Sequence, residues 1–390
     1  MSWFGKEKKE IIRNYSADIS DITLAFNEVT LERYGKSAIC SVKSALFFDI
    51  PVAYTSIEID CGKNAMGVTG TLRINTEKLQ AEFNICPEDA SGRKIPAVIC
   101  LVDSEFENEA NEFLSAIGEY IKKYSIYRCK AITINYGFLD LSKIDQKNFI
   151  YNKEVLKQIQ THIWTLIENT ERCKKENVPL HRKVLLTGPF GAGKTFTAFL
   201  TAKKAVENGW TFLYMRPTDP GDGYAIARLY KIARQYSPAV VFIEDIDHEQ
   251  SGGDDYTLHR NLSEIDGLIS KNDEIITILT ANRTEKISGA MQRPGRIDKI
   301  IKMGILETKD MERFIKTLIR TDLLEENIDW EKVSKHCDKY PPAFLREMAT
   351  NALLNMIGHN QDKIGTEFLV QAADDLKDQF KACEHAMGFK

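Results

Sequence analysis

The octapeptide Gly188-Pro189-Phe190-Gly191-Ala192-Gly193-Lys194-Thr195 fits the pattern G-x-x-x-x-G-K-[ST] and lies between an apolar run, Lys183 to Thr187, and a helix-forming run, Phe196 to Val206. Few folds accommodate that succession, because it demands a buried strand, a glycine turn and a helix whose positive N-terminal end faces a bound anion. Three glycines let the backbone N–H groups turn toward phosphates. Lys194 brings a point charge to the outer phosphate oxygens, and the Thr195 hydroxyl is a ligand for Mg²⁺. With Pro189, Phe190, Ala192 and Phe196, these residues form the expected binding set for a nucleoside triphosphate.

The length of 390 residues exceeds one compact domain and predicts two or three. A hydrophobic content of 43% beside 28% charged residues describes a globular protein. No apolar stretch reaches the ~18 residues that a membrane-spanning helix needs, and the start, Met1 to Glu10, lacks an apolar signal core. The expected compartment is the cytoplasm. Eight cysteines are scattered without a C-x-x-C pair, so they read as free thiols and not as a zinc site or a disulfide framework. The net charge is −4, with 16 basic against 20 acidic residues in 1–140 and 36 of each elsewhere. No segment carries the basic surplus of a protein held mainly by nucleic-acid phosphates.

Residues 1–140 alternate short apolar runs with turn residues, at Ser37–Val42, Met66–Leu72, Ile95–Val102 and Ala131–Ile134, and these predict strands. Between them Asn108–Tyr124 has helical spacing, so the segment reads as a strand-rich α+β domain. Its acidic run of Asp103, Glu105, Glu107, Glu109 and Glu112 reads as a solvated face, with metal binding as the alternative. A hinge is expected around Gly137–Asn148, followed by an amphipathic helix over Lys153–Lys174. Residues 141–305 then alternate strands, at Val184–Leu186, Thr211–Tyr214, Val240–Ile243 and Ile275–Leu279, with helical patterns. This predicts an α/β P-loop NTPase core with a parallel sheet and helices on both faces. From residue 306 to 390 the pattern is helical and predicts a small C-terminal lid.

Pro238 to Asp247 is an apolar strand ending in acids, the form of a Walker B element. Neighbouring carboxylates at a strand end point to opposite sides, so of Glu244 and Asp245 one can hold Mg²⁺ while the other orients the attacking water. Asn282, after another buried strand, is placed to hydrogen-bond a terminal phosphate or that water and is assigned as a polar sensor. Gln292 to Asp298 presents Arg293 and Arg296 on a Pro-Gly turn, a pair suited to bidentate contact with a phosphate of a neighbouring subunit.

Five segments in this order, GPFGAGKT (188–195), VVFIEDID (240–247), EIDGL (264–268), LTANR (279–283) and AMQRPGRID (290–298), resemble the AAA ATPases, a branch of the AAA+ superfamily, over about residues 150–360. The resemblance implies ATP and Mg²⁺ as cofactors, with Lys194, Glu244, Asp245, Asn282, Arg293 and Arg296 as the catalytic set. It implies that Arg293 and Arg296 act in trans as arginine fingers, hence a homo-oligomer, a hexameric ring. By position Asp266-Gly267 resembles an inter-subunit signalling element. Tyr340–Arg346 resembles the family's sensor 2 turn, where Ala343 matches, the usual glycine does not, and Arg346 would contact nucleotide.

Two departures from the family pattern matter. Glu244-Asp245 reverses the usual Asp-Glu order, so the shorter acid stands at the base position and must reach further. In this order the chain resembles the mitochondrial Rieske-protein translocase branch, although no segment reads as that branch's membrane anchor. The first pore loop falls on Thr218-Asp219-Pro220 and lacks the aromatic that grips a threaded polypeptide, leaving Tyr224 and Tyr256 as nearby substitutes. The expected function is ATP-driven remodelling of a protein or protein complex, with residues 1–140 selecting the partner. Two alternatives are a nucleic-acid motor or loader, which would use pore cations such as Lys204, Arg216 or Arg260, and a nucleotide-gated scaffold with little hydrolysis. No H-E-x-x-H protease motif occurs in the sequence, and His248-Glu249 lacks its second histidine.

Overall fold

The computed structural model describes residues 8–40, 42–43, 49–50, 53–87, 96–145, 150–216, 223–246, 273–282 and 296–386. The chain divides into two compact units, Met1–Leu139 and Asp140–Lys390.

The first unit runs β1 (Lys8–Asn14), a helix (Ile19–Tyr34), β2 (Ile39–Cys40), the short β3 (Val42–Lys43) and β4 (Asp49–Ile50), β5 (Ala53–Asp60), β6 (Lys63–Thr69), β7 (Thr71–Asn75), β8 (Gln80–Cys86), β9 (Ala97–Asp103), a helix (Glu107–Tyr124) and β10 (Ala131–Thr133). Five strands form an antiparallel sheet in the order β1-β9-β8-β7-β2, with β5 and β6 as a separate hairpin. Along β8, Ala81, Phe83 and Ile85 are buried and their neighbours are not, the signature of a sheet with one packed face. Phe26, Phe83 and Phe113 meet edge to face, with centroids 5.2–5.3 Å apart, where the two helices cover that face. The buried Asp21 accepts from the Ser125 hydroxyl at 2.5 Å and the Ile126 amide at 2.9 Å, tying the first helix to the chain leaving the second. The acidic run is paired with surface cations, Glu107 with Lys9 and Glu109 with Arg33.

In the second unit β11 (Arg182–Thr187), β12 (Thr211–Met215), β13 (Ala239–Ile243), β14 (Ile275–Ala281) and β15 (Lys299–Lys302) run parallel in the order β12-β13-β14-β11-β15. Every residue of β13 and β14, and all of β11 after Arg182, is buried, as a parallel sheet covered on both faces requires. Helices Lys194–Glu207 and Gly223–Gln235 pack against β12 and β13. The helix expected over Lys153–Lys174 is interrupted. It holds a π-helical turn at Gln160–Trp164, and Asn169 leaves helical geometry before a last turn at Thr170–Lys175. This segment is fastened to the helix after the phosphate loop by Tyr151 Oη with Thr197 Oγ1 at 2.9 Å and by Trp164 Nε1 donating to Thr201 Oγ1 at 2.9 Å.

The C-terminal helices, Thr308–Leu318, Trp330–His336, Pro342–Gly358, Thr366–Asp375 and Lys377–Ala386, enclose a core that includes Met311, Phe314, Ile315, Val333, Leu345 and Leu369. A cluster of Tyr340, Phe344 and Phe380, with centroids 4.8–5.6 Å apart, closes one end of it.

Candidate functional site

Backbone conformation builds the phosphate loop. Gly188, Gly191 and Gly193 adopt φ of 154°, 77° and 92°, values that side chains resist. The loop is also crowded. A Cβ on Gly188 would lie 2.0 Å from the Met303 carbonyl oxygen, and one on Gly191 would lie 2.4 Å from the Ala343 Cβ. The Ala343 amide donates to the Gly191 carbonyl at 3.2 Å, so the loop and the first turn of helix Pro342–Gly358 are in direct contact. The helix that follows the loop begins at Lys194 and presents its N-terminal amides there.

Lys194 is buried, and its Nζ donates to the carbonyls of Gly188 at 2.7 Å and Pro189 at 2.9 Å and to Asn282 Oδ1 at 2.8 Å. Asn282, at the end of β14, in turn donates from Nδ2 to Asp245 Oδ1 at 3.0 Å. Asp245 has φ of 46°, a left-handed conformation that aspartate tolerates better than most residues. Its amide donates to Thr280 Oγ1 at 2.8 Å, and the Ile246 amide donates to the Thr280 carbonyl at 2.9 Å, which fixes that turn.

Glu244 is only 3% exposed. Its Oε1 accepts from the Thr195 hydroxyl and its Oε2 from the Tyr214 hydroxyl. Arg216 approaches both acids, with Nε 3.4 Å from Glu244 Oε2 and a terminal nitrogen 3.9 Å from Asp245 Oδ2. Burial first, and then the bond to Glu244, raise the pKa of Tyr214 well above the usual tyrosine range, so it remains a hydrogen-bond donor.

Lys194, Thr195, Arg216, Glu244, Asp245 and Asn282 line a cavity of about 330 Å³ together with Phe190, Gly191, Phe196, Phe314, Pro342 and Arg346. A neighbouring cavity of about 700 Å³ shares Pro342 and is bounded by Tyr151, Asn152, Gln158, Ala192, Met303 and Leu306. The structure therefore gathers Lys194, Thr195, Glu244, Asp245, Asn282 and Arg346 around one space, with Arg346 exposed on its rim. Arg296 does not line that space. It sits half-buried before β15, beside Asp298, whose carboxylate accepts from the Lys183 amide at 2.8 Å. Arg293, Asp247, Asp266-Gly267, the pore-loop stretch at 218–220 and Tyr256 lie outside the described residues.

Sequence reasoning missed Tyr214 and Tyr151. Both sit in apolar runs and read as core aromatics, and only the placement of their hydroxyls ties them to the site. Arg216, expected from the sequence as a pore cation of a nucleic-acid motor, faces the two acids here.

A family model for the ATPase family associated with various cellular activities (AAA) matches residues 184–305. Among curated proteins, the chain is 28% identical over 239 residues to an ATP-dependent zinc metalloprotease FtsH from Mycoplasmopsis pulmonis, covering 57% of this chain and 32% of that protein. It is 28% identical over 239 residues to a proteasome-activating nucleotidase from Methanopyrus kandleri, covering 57% and 53%. It is 26% identical over 298 residues to the proteasome-activating nucleotidase of Methanococcus maripaludis, covering 71% and 70%. The chain thus spans about a third of the first of these relatives, 32% of its length.

AAA ATPases use ATP with Mg²⁺, and the residues present fit that pair. Left-handed glycines and a buried lysine form an anion cradle at the start of a helix. Thr195 and Glu244 offer adjacent hard oxygen donors, the kind that Mg²⁺ takes alongside phosphate oxygens. The second cavity, next to Ala192 of the loop, has room and polar edges for the rest of a nucleotide. With the loop, the two acids and the asparagine aligned at the ends of β11, β13 and β14 inside the matched segment, residues 184–305 carry an AAA ATPase domain.

Proposed function

We propose that this chain is a Mg²⁺-dependent ATPase that works as a hexameric ring and uses ATP hydrolysis to remodel a protein or protein complex. The observation that carries the reading is the continuous set of contacts from Lys194 through Asn282 to Asp245, with Glu244 held against Thr195 beside it. In this reading Lys194 and Arg346 neutralise phosphate charge, and Thr195 and Glu244 hold the metal. Asp245 takes a proton from the attacking water, and Asn282 orients that water. Arg293 and Arg296 serve the site of a neighbouring subunit. Residues 141–305 form the ATPase core and 306–390 the lid, while residues 1–140 select the substrate, in the cytoplasm.

Protein is favoured over nucleic acid as the substrate by two observations. The named relatives are an ATP-dependent metalloprotease and proteasome-activating nucleotidases. Of the cations a nucleic-acid motor would use, Lys204 is paired with Glu168 at 2.5 Å and Arg216 faces the two acids, while Arg260 lies outside the described residues. No helix among the described residues is long and apolar enough to cross a membrane.

The test measures ATPase rate and solution mass together for wild type, Lys194→Ala and Asp245→Asn. The reading expects turnover by an oligomer, loss of nucleotide binding in Lys194→Ala, and ATP binding with turnover reduced by about 10²- to 10⁴-fold in Asp245→Asn. Wild type that binds ATP without turning it over would replace the motor with a nucleotide-gated scaffold. Turnover strongly stimulated by single- or double-stranded nucleic acid would favour the loader instead.

A further inference from the structure

Glu244 is held from two sides. Thr195 engages Oε1 from the helix after the phosphate loop, and Tyr214 engages Oε2 from β12, the strand paired with β13. The register sets Tyr214 opposite Phe242, two residues before Glu244, so the phenol extends along the strand direction toward the carboxylate. The ring is also restrained. It lies nearly parallel to Phe199, at 6.2 Å and 18°, and to Phe242, at 6.0 Å and 7°. A tyrosine has only two side-chain torsions, so a ring packed in this way carries its hydroxyl at a fixed point.

That point has a use where the first acid is a glutamate. A glutamate reaches one methylene further than an aspartate from the same backbone position, and the extra torsion lets its carboxylate rotate away from Thr195. A donor on the outer oxygen removes that freedom. Arg216 does not do this: its side chain is 62% exposed and its closest approach is 3.4 Å, a solvated pairing that leaves a rotamer mobile.

We propose that Tyr214 is a positioning residue for the divalent-cation site, holding Glu244 Oε2 so that Oε1 stays beside Thr195, and that it adapts the site to a glutamate as first acid. The proposal rests on the reading of Thr195 and Glu244 as the metal pair. Hydrogen-bond partners behind a metal ligand fix its orientation, and removing one typically costs 10- to 100-fold in metal affinity.

The experiment titrates Mn²⁺ into the full chain with a non-hydrolysable ATP analogue present, following the free-ion EPR signal, for wild type and Tyr214→Phe. Tyr214→Phe keeps the ring packing and removes only the donor. Its Mn²⁺ affinity should fall about tenfold, while analogue affinity in EDTA and the thermal midpoint stay at wild-type values. In a Glu244→Asp background, where the shorter acid no longer reaches the phenol, Tyr214→Phe should add nothing, a non-additivity that a general packing defect would not produce. A Mn²⁺ affinity within about twofold of wild type, or an equal loss of analogue binding in EDTA, overturns the proposal. Wild type that retains no Mn²⁺ with the analogue overturns the reading of the metal pair itself, so the two failures are distinguishable.

Discussion

Asn282 bridges Lys194 and Asp245, accepting from the ammonium at 2.8 Å through Oδ1 and donating to the carboxylate at 3.0 Å through Nδ2. One amide therefore reports to both the charge that meets phosphate and the acid assigned as base. Asn282→Ala should lower kcat about 10²-fold while changing KM much less, because its donor matters most as charge develops in the transition state. Steady-state kinetics decide the matter: a rise in KM with kcat intact would make Asn282 a ground-state binding residue.

Arg296 lies apart from the cavity formed by its own chain. If it completes a neighbour's site, Arg296→Ala should bind ATP normally and lose turnover by about 10³-fold or more. Mixing it with Lys194→Ala should then recover activity, since each Lys194→Ala subunit still offers an arginine to an intact Arg296→Ala site. Mixtures as inactive as either parent would sink the trans role.

Gly191 is constrained by conformation and by space, with φ of 77° and the Ala343 Cβ 2.4 Å from where its own Cβ would stand. Gly191→Ala should destabilise the second unit by about 1–2 kcal/mol from the left-handed backbone alone. It should also weaken nucleotide binding, because Ala343 must be displaced. Urea unfolding and fluorescent-nucleotide titration are the measurements, and a wild-type result in both would show that the loop relaxes freely.

Burial, and then the charges of Arg182 and Lys299, hold the pKa of His162 below its ordinary 6.5. Folding therefore favours the neutral ring, while the unfolded chain takes up its proton first as pH falls below 6.5. The contribution is complete above that pH and is lost as pH drops toward the folded pKa. His162→Gln should flatten the decline of the thermal midpoint between about pH 6.5 and 5. An unchanged slope would assign the acid sensitivity to other groups.

Much of the second unit was legible in the sequence because its signals are local. A glycine loop needs its glycines, and strands buried on both faces read as unbroken apolar runs, as at Val240–Ile243 and Ile275–Leu279. The strand Lys299–Lys302 was missed because two lysines bracket two isoleucines, and only pairing with β11 makes it a strand. The helix Ile19–Tyr34 was also missed. Threonines and an aspartate lie on its packed side, so apolar residues do not trace a clean stripe, and Thr23 and Thr30 satisfy their hydroxyls on carbonyls one turn back. At the site, residue types that announce chemistry, such as lysine after glycine or acids ending a strand, were readable. Tyr214 was not, because its role depends on which strand lies beside Glu244.

The strand order also bears on how the chain is made. β11 has β14 on one side and β15 on the other, and neither is synthesised until everything from Gly188 to Glu274 has been made. Val184, Leu185 and Leu186, wholly buried at the end, thus wait without either neighbour until synthesis reaches Ile275. Such late, long-range closure makes parallel sheets slow to form and leaves nascent apolar strands open to misassociation. In the newborn chain, the segment that leads into the nucleotide loop stays open until these late partners arrive.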